Sequence, residues 1–153
     1  MNLGIDFHDT LSYHPDFFRE LMVMWRYPVY IVTGTPESHR KETEDQLQAI
    51  NISDNMYTGL LMGYEYEKKD MTPDHFKHMR EHKTQILIAY DIKIYFDDNP
   101  YYVDWARRYG ILAFQTILSP EYIKAFGATD PYFTCHLQEK QFDFIDKLGI
   151  DRK

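Results

Sequence analysis

Two short apolar runs in this chain end in aspartate, about 90 residues apart. Residues 2–7 (NLGIDF) carry Asp6 into a polar turn that holds Thr10, and residues 92–96 (IKIYF) lead into Asp97-Asp98. A short apolar run closing on a carboxylate is how a buried parallel strand delivers an acidic group to the carboxyl edge of an open α/β sheet, where such sheets bind ligands. Two such deliveries in one small chain suggest a divalent-metal site.

The rest of the sequence alternates strand and helix signals. Strands are expected over 2–7, 29–33, 56–61, 93–97 and 111–115. Helices are expected over 14–26, 37–50, 72–90 with a break near His82, 101–109, 119–126 and 137–148. Pro15 and Thr72-Pro73 suit helix starts, since proline fits the first turn and a threonine hydroxyl caps the exposed N–H groups. Residues 62–71 (MGYEYEKKDM) have no clear period and read as a loop. Alternating units of this length predict a Rossmann-like parallel sheet of about five strands with helices on both faces and right-handed crossovers. Repeats, low-complexity tracts and flexible linkers are absent, so residues 1–153 are expected to form one domain.

Composition narrows the function classes. The formal net charge is −7, which disfavours a general nucleic-acid or anionic-membrane binder. Aromatic residues make up 16% of the chain, with 13 Tyr and 10 Phe, so rings with hydroxyls at their edges are expected in the core. Cys135 is the lone cysteine, which predicts a reducing, cytoplasmic setting and a packing role for that thiol. The chain shows neither a signal-peptide pattern at its start nor an apolar run of membrane-spanning length.

Four strand ends would project from one edge of such a sheet, offering Asp6, Thr33 and the Asp97-Asp98 pair, with Lys83 on the helix before the fourth strand. Hard oxygen ligands of this kind suit Mg²⁺. A hydroxyl and a lysine beside them would hold phosphate oxygens, and an aspartate can act as a covalent nucleophile. Lys68, Lys69 and Lys77 compete with Lys83 for that role. His75, His78 and His82 share a helical face that reads as solvated. Tyr95, Phe96, Tyr101, Tyr102 and Trp105 read mostly as core, with Tyr101 and Tyr102 the candidates for stacking on a base.

These residues resemble the haloacid dehalogenase superfamily of phosphatases. Asp6-Phe-His-Asp-Thr-Leu11 is similar to the superfamily's opening Asp-x-Asp-x-Thr signature, and Thr33, Lys83 and Asp97-Asp98 follow in the family's order over residues 2 to about 117. Within it, Thr33-Gly34 with Arg40 and Thr43, and Trp105-Ala-Arg-Arg-Tyr-Gly-Ile111, resemble the phosphatase half of bacteriophage polynucleotide kinase-phosphatases.

The resemblance implies that Asp6 is the nucleophile and that Asp6, Asp98 and the His8 carbonyl hold Mg²⁺, with Asp97 contacting the metal less directly. It implies that Thr33, Gly34, Lys83 and Arg40 bind the phosphoryl group or substrate, Arg40 also being open to an ion-paired surface role, and that Thr10 shapes the turn. One position departs from the family. His8 stands where the family's general acid–base aspartate is expected, and Asp9 beside it would point away from the leaving group. General acid–base help is typically worth ~10²–10⁴ in rate, so the substitution predicts altered or impaired turnover.

About 17 residues separate the first two strands, and residues 61–83 allow only a small insertion, so no large cap domain is expected. An open site favours a large phosphomonoester such as a nucleic-acid 3′-phosphate end. A nucleotidase or small-molecule phosphatase is the alternative. The rival from another class is a catalytically impaired phosphate- or partner-binding protein of the same fold.

Overall fold

Leu3 and Ile5 alternate with Gly4 in the first apolar run, and both are fully buried, as are Ile31 and Val32 of the second. Runs that are apolar on both faces form central strands of a sheet covered on two sides. The computed structural model describes residues 1–116, in which nine regular elements alternate. They are β1 (Asn2–Asp6), α1 (Pro15–Met24), β2 (Val29–Pro36), α2 (Arg40–Ala49), β3 (Gly59–Gly63), α3 (Pro73–Ala89), β4 (Ile92–Asp97), α4 (Pro100–Arg108) and β5 (Leu112–Gln115). Every strand pairing is parallel, in the order β3-β2-β1-β4-β5. The helices expected over 119–126 and 137–148, and Cys135, lie outside the described residues. Among the described residues no helix is long and apolar enough to cross a membrane.

Two cores flank the sheet. Phe18 and Met22 of α1 and Leu47 of α2 pack with Leu3, Ile5 and Ile31 on one face. Leu87 of α3 and Val103 and Ala106 of α4 pack with Val32 and Tyr95 on the other. The chain thus leaves β1 in one direction through β2 and β3, then crosses to β4 on the far side of β1. The carboxyl ends of β1 and β4 form the switch point, the place in such a sheet where a crevice opens.

The sequence reading differs from this structure at several boundaries. α3 runs unbroken through His82, because its buried face (Phe76, Met79, Lys83, Leu87) keeps helical spacing throughout. Thr72 caps it as expected, its hydroxyl accepting the His75 N–H. β3 lies two to three residues later than expected, and β2 continues past Thr33 to Pro36, where it pairs with Gly63. That pairing requires glycine. A Cβ on Gly63 would stand 2.2 Å from the Gly34 carbonyl oxygen, which a backbone cannot absorb without moving. Gly63→Ala is therefore expected to lower stability by about 1–3 kcal/mol, the usual range for overpacking. A lowered thermal midpoint would check this, and an unchanged midpoint would mean that the two strands separate freely there.

Candidate active site

Asp6 closes β1 and Asp97 closes β4, the strand beside it, so the two carboxylates share the switch point. α3 crosses above them with His75, Met79 and Lys83 at successive turns, and these three residues all line one cavity. The Lys83 Nζ donates to Asp6 Oδ1 at 2.6 Å and to Asp97 Oδ2 at 3.0 Å, and it lies 4.7 Å from the centre of the Tyr102 ring. The Tyr95 hydroxyl donates to the same Asp97 oxygen, and the Asn99 N–H donates to the other. Asp97 thus has both oxygens committed to protein donors. Asn99 in turn caps α4 by accepting the Tyr101 N–H, which ties the strand end to the helix that follows.

Residues Phe7–Leu11 turn the chain away from β1, with the Ser12 N–H donating to the Phe7 carbonyl at 3.0 Å. Asp9 takes a left-handed conformation (φ 60°), which aspartate tolerates better than most residues, and its N–H donates to the Ser12 hydroxyl. The turn brings Thr10 against Asp98. The Thr10 hydroxyl accepts the Asp98 N–H at 2.9 Å and donates to Asp98 Oδ1 at 3.2 Å. Thr10 therefore does more than shape the turn, because it fixes the direction of a carboxylate 88 residues away.

Asp6, Asp97 and Asp98 are buried, and one oxygen from each lies within 4.8 Å of the others. Lys83 is a single positive charge against three carboxylates. Burial, followed by the Asp97 charge, pushes Asp6 up to about 7 despite the lysine. Burial and the Asp97 and Asp6 charges likewise raise Asp98 well above the usual carboxylate range. Burial alone would pull Lys83 down, but the Asp6 and Asp97 carboxylates override it and hold the ammonium above its usual range. Such an excess of buried negative charge calls for a cation. Asp6 and Asp98 each give one oxygen to a protein donor, Lys83 and Thr10 respectively. Hard oxygen donors from these two residues fit Mg²⁺, whereas Asp97 is held by Lys83, Tyr95 and Asn99.

The cavity at this edge measures about 590 Å³. Asp6, His8, Asp9 and Lys83 are among its lining residues, Asp6 and Lys83 being buried. The His8 Nδ1 lies 3.4 Å from the Thr33 hydroxyl, and its ring packs edge-on to Phe7. Burial first, and the Lys83 charge second, pull the His8 imidazole down to about 4. The ring also opens to solvent, and that water moderates the shift without reversing it.

Thr33 is fully buried behind the cavity wall. Its hydroxyl accepts the Thr35 N–H and donates to the Thr35 hydroxyl, both at 3.1 Å. Gly34, Thr35 and Pro36 line the cavity in its place. Arg40 does not line the cavity and is held by the Glu37 carboxylate and the Leu60 carbonyl. Lys69 pairs with Glu67 at 2.8 Å, Lys77 is exposed, and Lys68 sits on the cavity rim, so Lys83 alone among these lysines meets Asp6.

Two expectations about rings are corrected. The face carrying His75, His78 and His82 is solvated only in part: His78 is exposed and His82 half-buried, but His75 is buried because the loop after β3 folds back onto it. Tyr64 stacks on His78 with ring centres 4.2 Å apart and bonds to His75 Nδ1 at 2.7 Å, and His75 is buried. Tyr101 does not line the cavity, whereas Tyr102 does, beside Lys83. Both are buried, the first beneath the Arg80 guanidinium and the second beneath Lys83. The ring that faces the cavity from the unperiodic loop is Tyr66, which the sequence did not single out.

No family model matches this chain, and no curated protein does. Two solved structures are similar in fold. A magnesium-complexed enzyme of the HAD family from Bacteroides thetaiotaomicron has 17% sequence identity and a TM-score of 0.46 over 79% of this chain, which spans only 58% of that enzyme. An uncharacterized protein from Corynebacterium glutamicum has 13% identity and a TM-score of 0.49, covering 99% of this chain and 97% of its own. Likeness at this level does not extend to chemistry, which has to be read from this chain's own residues.

Proposed function

We propose that this chain is a Mg²⁺-dependent phosphomonoester hydrolase that works through an aspartyl-phosphate on Asp6. The supporting observation is the buried Asp6 carboxylate in the cavity lining, bonded to Lys83 and flanked by the Asp97–Asp98 pair. The same reading includes kinship with haloacid dehalogenase phosphatases and, within them, with the phosphatase half of the bacteriophage polynucleotide kinase-phosphatases. The order of Asp6, Thr33, Lys83 and Asp97-Asp98 along the chain supports it.

In the first step an Asp6 carboxylate oxygen attacks phosphorus, and the bond to the leaving oxygen breaks with its electron pair. In the second, water attacks phosphorus and Asp6 departs as a carboxylate. Lys83 orients Asp6 and neutralises negative charge building on the phosphoryl oxygens. Asp6, Asp98 and the His8 carbonyl would hold Mg²⁺, which when bound supplies further charge neutralisation at those oxygens. Thr10 keeps Asp98 aimed at it. Thr33 holds the loop whose Gly34 and Thr35 face the phosphate.

His8 sets the limits of this chemistry. An imidazole whose pKa is lowered by burial and by Lys83 is neutral at pH 6 to 9. It can accept the proton of the attacking water, but it has none to give the leaving oxygen. Phosphates with good leaving groups should turn over, while alkyl phosphates should lag, which also favours the reading of a binding protein with slow turnover. His8→Asp is expected to raise hydrolysis of glycerol phosphate relative to p-nitrophenyl phosphate, by up to ~10²–10⁴ if acid catalysis is fully restored. Paired kcat/KM measurements on the two substrates check this. A ratio that His8→Asp leaves unchanged would remove His8 from the proton transfers.

A further inference from the structure

The cavity that Asp6 and Lys83 line is also lined by residues of quite different chemistry. Part of its lining is aromatic and largely apolar. Tyr66 lies against His75 with ring centres 4.3 Å apart and an angle of 56°, and Met71 and Met79 extend the same surface. Exposed residues of α2, Glu42 and Gln46, add polar side chains to the same lining. Aromatic rings, an amide and a carboxylate lining one cavity match a flat ring with hydrogen-bonding edges, which is how single bases are held in protein sites. The volume, about 590 Å³, lies within the range of small-molecule sites.

The charge of this lining is wrong for a strand of nucleic acid. Proteins that track a strand neutralise its phosphates with lysine and arginine. Among the described residues the cavity presents Asp9, Glu42 and Glu67, and Lys68 is its one lining cation besides Lys83, which is already bonded to two carboxylates. A substrate with one phosphate would place it beside Asp6 and its neutral ring in the same cavity. A longer strand would set further phosphates against acidic side chains.

We infer that the space between Tyr66 and Gln46 is a subsite for the heteroaromatic ring of a small phosphomonoester, of the nucleoside monophosphate class, and not for the end of a polynucleotide. The orientation, phosphate inward and ring outward, rests on the phosphatase reading above.

The test uses the full chain carrying Asp6→Asn and loaded with Mg²⁺, so that bound ligands are not turned over. Calorimetric titrations compare adenosine and cytidine 5′-monophosphates with ribose 5-phosphate and with a 3′-phosphorylated oligothymidylate. At least one mononucleotide should bind roughly ten- to a hundredfold more tightly than ribose 5-phosphate, the range of one base–aromatic stack. Adding Tyr66→Leu should remove that advantage and leave ribose 5-phosphate binding unchanged, whereas Tyr66→Phe should keep it. Should Tyr66→Leu fail to fold, Gln46→Ala on the exposed face of α2 is the second probe, and it should weaken mononucleotide binding alone.

Equal affinities for ring-bearing and ring-free phosphates would overturn the subsite. An oligonucleotide binding more tightly than both mononucleotides would overturn the small-substrate assignment in favour of a strand end. Phosphate release by the unsubstituted chain is read separately. A ring preference without any release would leave the subsite standing and overturn the reaction, while release without a ring preference would do the reverse. Failure of all four ligands to bind would overturn the subsite, and with no phosphate release by the unsubstituted chain it would overturn the reaction as well.

Discussion

Asp6→Asn is expected to lower Mg²⁺-dependent phosphate release on the order of 10³-fold or more, because it removes the attacking group rather than an assisting one. The same substitution should make the metal-free protein more stable at high pH. Burial and Asp97 raise the Asp6 carboxyl in the folded chain to about 7, above its ordinary 3.8. A group raised in this way contributes stability that is fully present below the unfolded pKa and is lost as pH climbs through the folded one. Asparagine keeps an acceptor for Lys83 and brings no charge. Urea midpoints in a metal chelator should therefore diverge in favour of Asp6→Asn between pH 4 and pH 8. His8 titrates in both proteins and cancels in the comparison. An Asp6→Asn chain that is less stable at pH 8 would mean that the Lys83 pairing outweighs the burial of the charge. Loss of function with a gain in stability is the pattern expected where an active site holds charge for its chemistry.

Lys83→Met should have the largest effect on folding. Among the described residues it removes the one cation that Asp6 and Asp97 share, and it leaves an apolar chain of similar length against the Tyr102 ring. Breaking a buried ion pair by deleting one partner typically costs about 3–5 kcal/mol, because the remaining charge is left without compensation. At pH 8 without metal the loss should fall in this range, and by pH 5 it should shrink, because Asp6, raised to about 7 by burial and the Asp97 charge even with Lys83 present, has taken up its proton. Mg²⁺ should restore part of the stability and little of the activity, since Lys83 also orients the nucleophile. Denaturant titrations at both pH values, with and without Mg²⁺, check this. A midpoint at pH 8 equal to that of the unsubstituted chain would mean that the carboxylates do not depend on Lys83.

The contrast between Asp6 and Tyr66 marks what the sequence could reveal. Asp6, Asp97 and Lys83 are reached through local pattern, because strand ends and the Thr72-Pro73 helix start can be read within a few residues. Parallel strand topology then brings them to one edge without further information. Tyr66 lies in a stretch without period, and its place on the cavity wall depends on Tyr64 folding back onto three histidines of α3. Nothing local signals that contact. The extension of β2 past Thr33 was hidden for a similar reason, since it depends on Gly63 in another strand allowing close approach. The turning of the Thr33 hydroxyl toward Thr35 belongs to the same extension. The neutralisation of Arg40 by Glu37, three residues earlier, is by contrast a contact that local spacing suggests.

The most direct test of the account is an acid-quenched reaction of the full chain with a ³²P-labelled aryl phosphate and Mg²⁺, followed by peptide mapping. The account predicts Mg²⁺-dependent label on the peptide that carries Asp6, labile to hydroxylamine as an acyl phosphate is, and absent from Asp6→Asn. Phosphate release with no label on Asp6, or with label on another residue, would contradict it and move the nucleophile to water or to a different side chain.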